Sequence, residues 1–456
     1  MEQRGREERA ETLPARTVRA TRAASRPVQV ACPDPHPDLP SPTMYQQELE
    51  DVIMSFVLGP TVSPIRGHDP LVLAAWYRRQ QQECPVLRSQ TPDGKWVWQV
   101  FRYADVVRVL TDDRTFSARM YVERFPREIT LNSDNPDHQK YRRIVHSFFT
   151  PKAVAHWRLR IEQLVDAFLE RGVHRLSDQE GDIDMVEAVA YPLPVRIIAA
   201  LLGLPQEDEE QLRAWSYELA SLMGQPDAAF AQYVSEQVEE RARTTLEGEA
   251  DDLMGTLLRA EQAGELTRGQ VVFLVMGLVA AGNITTTMLL SLAVRRFVEQ
   301  PEIYQHLRQQ PAPALLASTL EELLRVDFCR TPTMRVARQD TVLSGQEIRA
   351  GEAVIAWVSA ANFDEAAFPN ALQFQPDRFL PERKASRHLA FGTGTRTCLG
   401  THLAKLEGLV FLERLLHRFA CIKAHPQRPP LYPDERFDLM LSYPVRVFFG
   451  EYPRAA

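Results

Sequence analysis

Cysteine is scarce in this chain of 456 residues: there are five, at positions 32, 84, 329, 398 and 421. An odd and unequally spaced set provides no disulfide framework and suits a reducing cytoplasm. No two of them stand at the spacing of a zinc-binding cysteine pair, which disfavours a tetrahedral site. Surplus positive charge is also missing. Lys and Arg number 53 against 60 Asp and Glu, for a net charge of −7, so no nucleic-acid footprint is expected. Internal repeats are absent, and so is the apolar core of a secretory signal. Residues 1–43 hold seven arginines and six acids and end in a proline cluster. They are expected to form a disordered extension ahead of a single domain at 44–456. A transit peptide fits poorly with six acids, and Met44 offers an alternative start. The longest uninterrupted apolar run, Val271–Gly282, spans 12 residues. That is short for a membrane anchor and typical of a helix crossing a large core.

What is present is ordinary for a soluble globular protein: 45% hydrophobic residues and 25% charged. The stretches DPLVLAAWYRRQQQ and YADVVRVLTD carry helical apolar spacing, and KWVWQVF between them alternates as a half-buried strand. From about residue 135 helical patterns dominate: YRRIVHSFF, AVAHWRLRIEQLVDAFLERGV, VRIIAALLGL, EQLRAWSYELASLM and FAQYVSEQVEERARTTLE. The apolar stretch 271–294 and a helix near 314–326 come next. Strand-like pieces return in ARQDTVLS, GEAVIAWVSAA and SYPVRVFF. The expected fold is mainly α, with a minor sheet drawn from both ends of the chain.

One cysteine stands in an unusual frame, FGTGTRTCLG. Gly392 and Gly394 open backbone conformations closed to other residues. Cys398 is expected to open a helix with Leu399, Leu403, Leu406 and Val410 along one face. A sulfur at a helix N-terminus is favoured as thiolate, and so as metal ligand or nucleophile. A buried cysteine acting as a small apolar residue is the commoner case, but it does not account for the whole frame.

The frame resembles the haem-binding signature of the cytochrome P-450 family, through Phe391, Gly394, Arg396, Cys398 and Gly400. The resemblance implies a triangular helical prism, with haem b between a long distal helix and the proximal cysteine-loop helix. Cys398 would be the thiolate ligand of the iron, with Phe391 beside it. Four further places agree, in the family's order. Glu322 and Arg325 in EELLR would form a structural triad with Arg378 of FQPDRF. His138 and Arg142, at i and i+4, share a helix face. With Arg335, His388 and Arg396 they would hold the haem propionates. The resemblance spans roughly residues 70–449.

AAGNITTT matches the family's distal motif at Ala281, Gly282 and Thr285, but Ile284 stands where an acid is usual. Oxygen activation needs protons brought from solvent, and isoleucine relays none. Thr285 with ordered water, aided by Asn283 or a substrate hydroxyl, is the expected route. Gly282 would open the groove one turn earlier. Thr286 and Thr287 read as helix filling, their hydroxyls bonded to the preceding turn.

The resemblance implies a cytoplasmic, monomeric monooxygenase of the soluble bacterial type. It would insert one atom of O2 into a lipophilic small molecule by hydroxylation or epoxidation, in secondary metabolism or xenobiotic oxidation. Electrons would come from a ferredoxin or flavodoxin with its reductase, docking near Arg143, Arg396 and Lys405. The expected pocket lining is Met120–Ile129, Leu219–Met223, Gly277, Ala280, Ala281, Thr331, Thr333 and Leu439–Leu441. Alternatives are a peroxide-driven oxidase, a rearrangement enzyme, or a non-catalytic auxiliary protein on the same fold. Intact Cys398 argues against the last.

Overall fold

The computed structural model describes residues 70–90, 96–118, 133–221, 228–245, 252–328, 332–432 and 440–450. Among these, α1 (Pro70–Glu83) leads into β1 (Val86–Gln90) and β2 (Trp96–Val100), then α2 (Tyr103–Thr111) and the short β3 (Phe116–Ser117). Next come α3 (Asp137–His146), α4 (Pro151–Ala155), α5 (Arg158–Gly172), and the strands β4 (His174–Arg175) and β5 (Glu180–Asp184). Five helices follow: α6 (Pro192–Leu202), α7 (Glu209–Ser221), α8 (Ala228–Thr245), α9 (Leu253–Gln262) and the long α10 (Arg268–Glu299). After α11 (Pro301–Gln309) and α12 (Pro313–Val326) lie β6 (Thr333–Ala337), β7 (Thr341–Leu343), β8 (Gln346–Ile348), β9 (Ala353–Ala356) and α13 (Val358–Asn362). A meander, the cysteine loop, α14 (Thr401–Arg418), β10 (Cys421–Ala424) and β11 (Pro444–Phe448) close the order.

One sheet joins both halves of the chain in the order β1-β2-β9-β6-β3, with β2 parallel to β9. Alternation sends Val97, Ala353 and Ile355 to one face and Trp98, Val354 and Ala356 to the other, each face covered by its own apolar cluster. A four-stranded sheet, β10-β11-β5-β4, ties the C-terminal strands to the middle of the chain.

The largest core surrounds α10. Its start is fixed by a capping box: Gln270 N donates to Thr267 Oγ1 at 3.2 Å and Thr267 N to Gln270 Oε1 at 3.0 Å. By length and composition α10 is apolar enough to cross a membrane. Here it packs against α6, α7, α8, α9, α11, α12 and α14, as a helix apolar on most sides does at the centre of a large core.

Several local expectations need correction. AVAHWRLRIEQLVDAFLERGV forms two helices, α4 and α5, broken at His156 and Trp157. Trp357 ends the strand reading of GEAVIAWVSAA, and Val358–Asn362 turns helical as α13. Strand β1 and helices α9 and α11 had no sequence expectation. Cys84 is disulfide-bonded, although the sparse and odd set of cysteines was expected to suit a reducing compartment better than a disulfide framework.

Candidate functional site

Helix α14 begins at Thr401, so Cys398 precedes the helix rather than opening it. A tight loop carries it. Gly392 N donates to Leu389 O at 2.8 Å, Cys398 N to Phe391 O at 2.8 Å, and residues Gly394–Arg396 make a 3₁₀ turn. Gly392 and Gly394 sit at φ +66° and +77°, the left-handed region that disfavours a Cβ. At Gly394 a Cβ would also lie 3.1 Å from Thr111 Cγ2 and 3.3 Å from Leu110 O. The close approach made there is to α2. Cys398 is reached by solvent, while the protein atoms around it desolvate the sulfur and push its thiol upward. The Gly400 amide, the Arg142 charge and the Thr401 hydroxyl oppose that rise.

Helix α3 presents His138 and Arg142 to this loop. Arg142 Nη1 donates to Thr397 O at 2.7 Å, and His138 is buried. Strand β6 contributes Arg335, also buried. Arg396 turns inward, donating to the Ser133 carbonyl and to Asp134 Oδ1, the latter at 3.1 Å. Burial first, then the charges of Arg396, Arg142 and Arg335 against the smaller pull of Asp113, drive the His138 imidazole down to about 4. It is therefore neutral near pH 7, and its buried Nδ1 has no hydrogen-bond partner. Three guanidiniums and a neutral imidazole thus gather beside Cys398 against the carboxylates of Asp113 and Asp134. Such a surplus of donors suits a group with two carboxylates, and these residues fit the propionates of haem.

His388 does not join them. It is buried under the loop, where its Nε2 lies 2.7 Å from Glu321 Oε2, and Ala390 N donates to its Nδ1 at 3.3 Å. The expectation that it binds a propionate is corrected: its polar edges are taken up within the chain. Arg396 is likewise removed from the docking set, because its side chain is only 12% exposed. Lys405 is held by Glu321 at 2.6 Å, and Arg143 is the well-exposed member, at 73%, paired with Glu265 at 3.0 Å.

Behind the loop the triad is assembled. Arg325 donates to both oxygens of Glu322, at 2.7 and 2.8 Å, and Arg378 Nε donates to Glu322 Oε1 at 3.0 Å. Both side chains of the Glu322–Arg325 pair have zero exposure. Further guanidinium hydrogens go to carbonyls of α13 and the meander: Asn362, Ala371 and Gln373 for Arg325, and Pro369, Asn370 and Gln373 for Arg378.

Through the middle turns of helix α10 the exposed positions fall on one line. Gly277, Ala281 and Thr285, spaced by four, are exposed while Ala280, Asn283 and Thr286 are buried. Gly282 lies off that line, its missing Cβ replaced by Ile198 of α6, which a methyl would meet at 3.2 Å. The opening expected at Gly282 therefore belongs to Gly277, where a Cβ would meet nothing within 4 Å. Thr285 Oγ1 donates to Ala281 O at 2.7 Å, leaving its lone pairs open. Asn283 is fully buried on another face, its Oδ1 accepting from Thr287 Oγ1 at 3.3 Å and its Nδ2 unpartnered. A proton route from Asn283 to Thr285 is not supported by this placement.

Of the expected pocket lining, 120–129, Thr331, Leu439 and the side chains of 219–223 lie outside the described residues. Met440 is buried in the main core, and Thr333 and Leu441 are half-buried. Sequence reasoning missed Glu407. It is buried on α14 with Oε2 unpartnered, and burial pushes its carboxyl up to about 8. Its signal was there to read: an acid on the apolar face between Leu403 and Val410.

A family model described as Cytochrome P450 matches residues 218–447. The chain is 36% identical over 387 residues to Cytochrome P450 109 of Bacillus spizizenii, covering 82% of this chain and 91% of that protein. It is 33% identical over 386 residues to the Mycinamicin IV hydroxylase/epoxidase of Micromonospora griseorubida, covering 80% and 92%. Among solved structures, CYP109E1 from Bacillus megaterium in complex with testosterone aligns with a TM-score of 0.70 at 28% identity, covering 82% of this chain and 98% of that one.

Proposed function

The chain belongs to the cytochrome P450 family of haem-thiolate monooxygenases, and from that premise we propose that Cys398 is the thiolate ligand and that the α3–β6 cluster holds the propionates. The observation that carries this reading is the gathering of His138, Arg142, Arg335 and Arg396 around one loop cysteine. Haem, when bound, supplies the activation of O2. The Gly400 amide, the Thr401 hydroxyl and Arg142 steady the negative sulfur from the protein side. Arg142 bonds the Thr397 carbonyl and Arg396 the Ser133 carbonyl and Asp134, which fixes both guanidiniums beside the loop.

On the distal side the exposed line of α10 gives small side chains where a substrate must lie close. Gly277 and Ala281 leave room, and Thr285 is the polar group among them. Its hydroxyl hydrogen is spent on the Ala281 carbonyl, so in this rotamer it accepts from water. Turning about one torsion frees the hydrogen for donation. Ile284 relays nothing, so protons reach Thr285 through ordered water. A lipophilic substrate of medium or large size fits an apolar line of this kind. The relatives named for mycinamicin IV and for a testosterone complex support hydroxylation or epoxidation of such compounds. Electrons come from a ferredoxin or flavodoxin with its reductase, meeting the face that exposes Arg143. The protein works as a soluble cytoplasmic monomer.

Two measurements test this. The reduced protein under carbon monoxide is expected to show the red-shifted absorption peculiar to thiolate ligation, and Cys398→Ser to lose it. Product formed per reduced nicotinamide is expected to fall in Thr285→Ala; unchanged coupling would remove Thr285 from the relay. Ile284 is the one observation favouring a peroxide-driven reaction, and turnover with hydrogen peroxide equal to that with a ferredoxin system would establish it.

A further inference from the structure

Glu321, on α12 beside the triad glutamate, touches both flanks of the cysteine loop. Its Oε2 meets His388 Nε2 at 2.7 Å and its Oε1 meets Lys405 Nζ at 2.6 Å. His388 enters the loop ahead of Cys398, and Lys405 lies on α14 behind it. Between them both partners of Glu321 converge on Phe391. The Lys405 ammonium lies 5.6 Å from the Phe391 ring centre and the His388 ring is tilted against it at 6.2 Å. The Phe391 carbonyl in turn accepts the Cys398 amide at 2.8 Å. The Ala390 amide donating to His388 Nδ1 makes Nε2 the protonated nitrogen, so the imidazole donates to Glu321 without carrying charge. Burial would raise the Glu321 carboxyl, but His388 and Lys405 outweigh it and hold the group below its usual range. The charged form is thereby kept, and charge-assisted contacts to a partly buried carboxylate are the strong kind.

We propose that Glu321 is a positioning residue, a clamp that fastens both sides of the Cys398 loop to α12 and, through Phe391, fixes the direction of the Cys398 sulfur. The clamp rests on the reading of Cys398 as the haem thiolate and adds to it. The triad holds the meander, and the clamp holds the loop. Neither shares a side chain with the other or with the propionate cluster.

The test compares Glu321→Leu, Glu321→Gln and Lys405→Met with the unmodified full-length protein, with and without haem. Amide hydrogen exchange without haem reads the clamp directly. Glu321→Leu is expected to speed exchange of the Cys398 amide about tenfold while peptides of the 369–378 meander keep their rate, and Glu321→Gln and Lys405→Met to give about threefold, each arm lost singly. With haem, Glu321→Leu is expected to retain haem content but to lose the thiolate-type carbon monoxide signal several-fold faster, and to shift the reduction potential. Exchange that quickens equally across α12 and the meander would reduce Glu321 to general packing and overturn the clamp, as would exchange and signal unchanged in all three variants. Should Glu321→Leu not fold, the Lys405→Met result decides by the same criteria, since that side chain is partly exposed. Absence of the thiolate signal in the unmodified protein would count against the haem-thiolate reading alone, and the exchange measurement would still decide the clamp.

Discussion

Two groups of arginines drawn in from the surface of this molecule differ in what completes them. Arg325 and Arg378 share the carboxylate of Glu322, and their other hydrogens end on meander carbonyls. That network is closed. Arg142, Arg335 and Arg396 converge on a neutral imidazole with a spare nitrogen, with Asp113 and Asp134 as the acids beside them. The first group is buried throughout, whereas in the second only Arg335 is, with Arg142 and Arg396 half-buried, and the sharper difference is in the balance of donors to acceptors. The lesson is that a buried arginine speaks of architecture when its acceptors lie within the chain, and of a ligand when its neighbours repel it. Substitutions in the two groups should therefore fail in different ways.

The largest effect is expected from Arg325→Ala. It leaves Glu322 buried with Arg378 alone and strips hydrogen bonds from one carbonyl of α13 and two of the meander. Breaking a buried pair costs about 3–5 kcal/mol, so urea unfolding should show most of the stability gone, with or without haem. A loss under about 1 kcal/mol would mean that the closed network is not structural.

Arg142→Ala should do the reverse. The metal-free fold loses one bond to the Thr397 carbonyl but also a repelling charge, and its midpoint should move by no more than about 1 kcal/mol. Haem transfer to an acceptor protein should quicken by about 10- to 100-fold, the worth of one charged hydrogen bond. Equal damage to both properties would erase the distinction between the two clusters.

The imidazole sharpens the comparison through pH. In the haem-free fold His138 titrates at about 4, against about 6.5 when unfolded. The unfolded chain therefore binds the extra proton between those values, and stability is complete above about pH 6.5 and falls as pH is lowered toward 4. Discounted for solvent screening, the loss should be roughly 1–2 kcal/mol. Propionates would favour the charged imidazole and shrink it. Urea midpoints at pH 7 and 4.5 check this: His138→Gln should flatten the haem-free profile, and a profile that stays steep would place the titration elsewhere.

How much of this was legible depended on whether the informative residues lie close in sequence. The cysteine frame and the Glu322–Arg325 spacing are local and read directly. Arg378 was reachable because its motif sits at a fixed remove from Cys398. His388 was misplaced because its partner, Glu321, lies on a helix far back in the chain, and no spacing rule joins them. Gly282 was misread for a different reason. Glycine in a helix signals close approach but not of what, and here it was Ile198 of the neighbouring helix. Asn283 failed by angle: two residues from Thr285, it points to another side of α10. Helices α9 and α11 were passed over although each carries an apolar face, Leu253, Leu257 and Leu258 on α9 and Ile303, Tyr304 and Leu307 on α11, because both are short.

The smallest effect on stability should come from the arginine next to the cluster. Arg143 follows Arg142 on α3, and the turn of the helix carries it outward, to 73% exposure and a surface pair with Glu265. An exposed pair is worth about 0–1 kcal/mol, so Arg143→Glu should leave unfolding midpoints and haem content nearly unchanged. Its cost should appear in the rate of electron delivery. Reversing one charge on the face beside the cysteine loop weakens the steering of an acidic ferredoxin, by on the order of tenfold at low ionic strength. Screening shortens the reach of that charge to about 10 Å at 0.1 M salt, so the deficit should fade as salt is added. Stopped-flow reduction across a salt series separates the outcomes. A deficit that persists at high salt would mean that Arg143 makes a direct contact, and no deficit at low salt would move the docking face away from α3.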